Sequence, residues 1–239
     1  MPEENVTLIR AAFRRSARES SLILAALYLP AVAILAAVAV AVVFFDVAIT
    51  SVTRDLADEA GVSPLTGALS TIGVLVWCTT AAVTLFSGTV MSKRGEKRQA
   101  SFLFCFGLLT LILLLDDLFM FHEDLAPRYL GIPDTITYAV LAGLTAASLI
   151  AFRDVIWRSE YLLLILALMY FSFSVVTDAS DGLSVGSDWM YLVEDGAKFL
   201  GIVSWAGYFV RHAYRQISEE EISAPVRAED GLEAGGLSE

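Results

Sequence analysis

Residues 101–124 read SFLFCFGLLTLILLLDDLFMFHED, and their polarity decides the class of the fold. No charged side chain occurs from Ser101 to Leu115. The run then meets two adjacent acids, Asp116 and Asp117, and closes on the polar cluster His122-Glu123-Asp124. Such a segment can satisfy its backbone only as a helix, and it is long enough to cross most of a ~30 Å hydrocarbon layer. The stretch therefore predicts a membrane-spanning helix with carboxylates set into one end.

The rest of the chain repeats the pattern. Of 239 residues, 56% are hydrophobic and 18% charged, with a mean hydropathy of +0.66. These values exclude a water-soluble enzyme built round a single buried core. Apolar segments at about 21–45, 65–91, 101–121, 135–152, 161–177 and 189–210 predict an all-α, polytopic integral membrane protein, a six-transmembrane-helix bundle. Residues 1–20 form a basic segment in which Ile9 and Phe13 lie four apart beside Arg10, Arg14 and Arg18, a spacing suited to a helix on the membrane surface. Residues 21–215 are the transmembrane domain. Residues 216–239 are acidic, with Pro225 and Gly235-Gly236, and read as a disordered cytoplasmic tail.

Charge sets the expected topology. Arg10, Arg14, Arg15, Arg18, Lys93, Arg94, Lys97, Arg98, Arg153, Arg158, Arg211 and Arg215 flank one side of the spans, against Arg54 and Arg128 on the other. The positive-inside rule then places both termini in the cytoplasm. Alanine, valine and leucine usage, short loops and small size suit a bacterial plasma membrane. The net charge is -11, and the partners expected are the lipid bilayer and a small cation or lipid ligand, with no nucleic acid. Cys78 and Cys105 lie on different spans and read as packing residues. Ala139, Gly143 and Ala147 form a small-residue seam suited to close helix approach, and Thr79, Thr80 and Thr84 carry hydroxyls that can bond within their own helix.

The acids carry the functional signal. At ~1.5 Å per residue, Asp116, Asp117, Asp178, Glu194 and Asp195 all lie more than ~20 Å from the cytoplasmic ends of spans three, five and six. A lone ionised group facing lipid at that depth is costly, so these side chains should face the bundle interior or an outward vestibule. Tyr170, Ser174, Asp178 and Asp181 share one stripe of span five, and Lys198 lies one turn from Glu194. The layer needs protons or a bound cation to offset its charge, which suits a non-enzymatic role in transport, sensing or assembly with partners. Asp116, Asp117, His122, Glu123, Asp178, Asp181, Glu194 and Asp195 are the candidate ligands. Their oxygens favour calcium, magnesium or manganese over zinc. The alternative is a membrane-embedded metal- or carboxylate-dependent hydrolase acting on a lipid or peptide. There Asp117 or Glu194 would activate water and Lys198 would stabilise the developing anion.

Two resemblances accompany the second reading. Glu194-Asp195-x-x-Lys198 resembles the Glu-Glu-x-x-Lys element of PrsW-type intramembrane glutamic proteases, and Phe119-x-x-x-Glu123 resembles their Phe-x-x-x-Glu element. Here the two stand in reverse chain order, the second acid is aspartate, and no His-x-x-x-Asp element occurs. The layout is also similar to the ceramidase and adiponectin-receptor class of membrane hydrolases. Those gather several histidines, with Asp and Ser, around zinc, where this chain offers His122.

Overall fold

The computed structural model describes residues 25, 28–29, 31–40, 42–44, 48–53, 56–180 and 188–235, excluding the side chains of 50, 52, 56, 178–180, 188–191 and 219–235. The expected surface segment 1–20 lies outside the described residues, as do Asp181 and the side chain of Asp178. All regular elements among the described residues are helical. The chain divides into two compact units, residues 1–66 and 67–239. The first contains α1 (Ala31–Phe44), α2 (Ile49–Thr53) and α3 (Leu56–Ala60). Within it, Ser51 Oγ donates to Glu59 Oε1 at 3.3 Å, tying α2 to α3.

The second unit holds α4 (Ala68–Arg94), α5 (Lys97–Leu118), a π-helix (Phe121–Leu130), α6 (Asp134–Ala151), α7 (Arg153–Ile156), α8 (Leu162–Ser180) and α9 (Asp188–Gly235). α4, α5 and α6 are each long and apolar enough to cross a membrane, while the apolar part of α8, Leu162–Thr177, is shorter. α9 extends the backbone through part of the segment expected to be a solvated tail. Large side chains such as Leu75, Phe86, Ile150 and Met169 are more than half exposed. In water they would make an adhesive surface, whereas in lipid they face a medium as apolar as themselves.

α4 stops at Gly95, whose φ of 85° is open to glycine and directs its N–H back to the carbonyls of Met91 and Ser92. After Glu96, α5 starts and returns along α4. α9 packs on both α4 and α8, and α6 on α5 and the π-helix. Aromatic rings fill the centre: Trp77 stacks on Phe171 at 5.8 Å, Phe106 meets Phe209 at 4.9 Å, and Trp205 meets Phe209 at 4.8 Å. Trp205 Nε1 donates to Thr110 Oγ1 at 3.0 Å, so the one polar atom of this fully buried indole is satisfied across helices. Two glycines permit the closest approaches. A Cβ on Gly107 would stand 2.7 Å from Leu85, and one on Gly201 would stand 2.6 Å from Phe171.

The threonines of α4 bond their own helix, with Thr80 and Thr84 donating to the carbonyls of Val76 and Thr80 at 2.7 and 2.6 Å. The small-residue seam of α6 behaves otherwise: Ala139, Gly143 and Ala147 are exposed, and nothing lies within 4 Å of a Cβ built on Gly143. α6 meets α5 on a neighbouring face, where Cys105 Sγ donates to Ser148 Oγ at 3.5 Å.

Candidate functional site

The far end of α5 is where the helix stops being regular. Leu118 is its last residue, and Met120 takes φ 47°, ψ 45°, the left-handed region that a side chain other than glycine rarely occupies. The chain then winds as a π-helix that includes Pro127 and ends on Gly131 at φ 65°. A left-handed residue followed by wide winding reverses the chain within a few residues, and such backbone is concentrated at functional positions. Here it folds His122 back onto the last turn of α5.

Asp116 receives that histidine twice. Its Oδ2 lies 2.6 Å from His122 Nδ1, and its Oδ1 accepts the backbone N–H of His122 at 3.2 Å. The other ring nitrogen, Nε2, is 3.2 Å from Glu123 Oε1. His122 is 4% exposed, and its ring packs on Tyr138 of α6 at 4.6 Å. Burial alone would push the imidazole pKa down. The hydrogen bonds to Asp116 and Glu123, with their charges, outweigh it and raise the pKa to about 9. Reciprocally, the bond from His122 holds Glu123 below the usual carboxylate range against its partial burial, with help from the charge of Lys198. Both ring nitrogens face carboxylates, so the protonated, two-donor form of His122 fits the geometry.

Beside this bridge, Lys198 of α9 reaches across to α5. Its Nζ is 2.6 Å from Asp117 Oδ1, whose side chain is 7% exposed. Asp117, Asp195 and Lys198 share a small cleft with Ser70 and Gly73 of α4. At the mouth, Asp124 and Arg128 pair at 3.6 Å within the π-helix. The structure thus joins Asp116, His122 and Glu123 in one bridge and Asp117, Asp195 and Lys198 in the adjoining cleft. Glu194 is half-buried on α9 and has a partner of its own. Among the described residues, no set of three or more His, Cys, Asp or Glu side chains is arranged to hold a metal ion. Tyr138, the wall behind His122, carried no signal in the sequence, because a tyrosine near the start of an apolar helix reads as an interfacial anchor.

The family described as Domain of unknown function (DUF8692) matches residues 26–212, and the chain belongs to it. The match takes in α4 to α8, the π-helix and the part of α9 that carries Lys198. Neither a curated protein nor a solved structure gave a match.

Proposed function

We propose that this DUF8692 protein is a six-span plasma-membrane protein with both termini in the cytoplasm, whose outward polar layer holds a proton and responds to its loss. The observation carrying this reading is His122, buried with a carboxylate on each ring nitrogen. The imidazolium and Lys198 supply two positive charges where the sequence alone offered one. A proton is accordingly favoured over a bound metal as the cation that balances the acids. The groups around the imidazole are Asp116 from α5, Glu123 from the π-helix and Tyr138 from α6, and the charge of Lys198 from α9 acts on Glu123. When His122 loses its proton, Asp116 and Glu123 keep their charges with no cation between them. Their repulsion acts on the joint at Met120, which is already in a sparsely populated conformation. The site therefore suits sensing, or control of assembly with a partner, better than hydrolysis, because Lys198, the group that would stabilise an anion, is engaged by Asp117.

The test is the ring-nitrogen NMR titration of His122 in the full chain reconstituted in nanodiscs. The expected midpoint is near 9, falling by more than one pH unit in Asp116→Asn. Chelation of divalent ions should leave the melting temperature unchanged. A midpoint near the ordinary 6.5 would overturn the proton bridge, and a melting temperature that collapses on chelation would restore the metal reading.

A further inference from the structure

At the end of the 67–239 unit opposite the acid layer, α5, the α7–α8 link and α9 line a second polar cavity, open to the surroundings, of about 160 Å³. That is several times the ~30 Å³ share of a water in the liquid. Arg158, Arg211 and Arg215 line it together with Glu160, which leaves a formal charge of +2. The floor is buried: Tyr208 is 2% and His212 is 7% exposed. Burial, aided by the charge of Arg215, lowers the His212 pKa to about 4, so the ring stays neutral and its Nε2–H donates to Gln99 Oε1 at 3.2 Å.

Counting donors separates this cavity from an ordinary basic rim. Glu160 accepts from Arg211 Nε at 2.7 Å and from Arg215 Nη2 at 2.6 Å. Each guanidinium has five N–H groups, so one carboxylate leaves most of them open. Arg158 lines the same space and makes no ion pair among the described residues. A second carboxylate would engage only two donors along one edge. A tetrahedral oxyanion can meet three guanidinium groups, two from successive turns of α9 and one from the α7–α8 link.

We propose that this cavity binds one phosphate group, with Arg158, Arg211 and Arg215 as its ligands and Glu160 as the resident carboxylate that orients two of them. The phosphate is that of the free inorganic ion or of an anionic phospholipid head group, since the cavity lies at the end of membrane-spanning helices where head groups are found.

The full chain in detergent is titrated with inorganic phosphate against chloride. In parallel it is reconstituted in vesicles of phosphatidylcholine alone or with phosphatidylglycerol, and retained lipid is counted by native mass spectrometry. One phosphate-bearing ligand per chain is expected: binding of inorganic phosphate identifies the free ion, and retention of phosphatidylglycerol without it identifies the head group. Arg158→Gln, at an exposed position, should weaken binding about tenfold with no change in melting temperature. Glu160→Gln, which keeps an amide oxygen to hold a guanidinium and removes the competing charge, should tighten it. Lys93→Gln, outside the cavity, should leave it unchanged. The proposal fails if neither ligand exceeds its control, if Arg158→Gln binds as the parent does, or if Lys93→Gln weakens binding equally. If Glu160→Gln does not fold, the Arg158 and Lys93 variants decide.

Discussion

Asp116 and Asp117 are neighbours in the chain and have different partners, because successive residues of a helix point about 100° apart. Asp116 faces the reversal at Met120 and takes His122, while Asp117 faces α9 and takes Lys198. Each pairing makes a separate prediction. The folded His122 pKa of about 9 lies above the unfolded value of 6.5, so its stabilisation is complete below pH 6.5 and is lost as pH rises through 9. The linked energy is at most ~3 kcal/mol, and less in practice because Glu123 is 54% exposed. Thermal melts from pH 6.5 to 9.5 should fall in the parent and stay flat in His122→Asn. His212 carries the opposite sign: its stabilising effect is present above 6.5 and is lost as pH falls toward 4. Lys198→Met strands a buried Asp117 and should cost ~2–3 kcal/mol, short of a fully buried pair because Lys198 is 35% exposed. Asp117→Asn in the same chain should restore most of the loss, while Lys97→Met should do little. That Asp116, Asp117, Asp195 and Lys198 gather at one end of the helices was legible from depth and polarity. The pairing of His122 was not, since it depends on a backbone reversal for which adjacent Phe119, Met120 and Phe121 give no cue.

Helix contacts in this protein are set by single glycines rather than by a repeating seam. Gly201→Ala and Gly107→Ala drive a methyl to 2.6 Å from Phe171 and 2.7 Å from Leu85, and each should cost ~1–3 kcal/mol. Gly143→Ala meets open space and should be neutral or stabilising by up to ~1 kcal/mol through helix propensity alone. Melting temperatures of the three variants in one detergent check the contrast. The sequence pattern favoured the α6 seam because small residues recur there every four positions. The productive contacts sit at isolated glycines on helices that are apolar on all sides, so polarity does not mark which stripe meets a neighbour. Helix ends were partly hidden for a related reason: the apolar run suggested a span to Phe121, whereas α5 ends at Leu118 and the π-helix follows.

At the scale of the whole chain, helical class and membrane character follow from composition, and three helices have the length and polarity to cross a bilayer. The six-span topology is tested with reporters: fusions after Lys97 or at Glu239 should report the cytoplasm, and insertions near Gly61 or Gly186 the outside. An outward C-terminus would place the His122 bridge on the cytoplasmic side. The connection at Gly95 and Glu96 has a further consequence, which concerns biogenesis. With so short a link, α4 and α5 can pair as soon as both have left the ribosome, since loop closure costs little and their contacts are local. Asp117 belongs to that hairpin, but Lys198 is synthesised some eighty residues later. During that interval the hairpin carries an acid without its lysine. Arrival of α9 supplies Lys198 to Asp117 and Trp205 to Thr110 together. The same ion pair that stabilises the finished protein is thus completed only once the last long helix has been made.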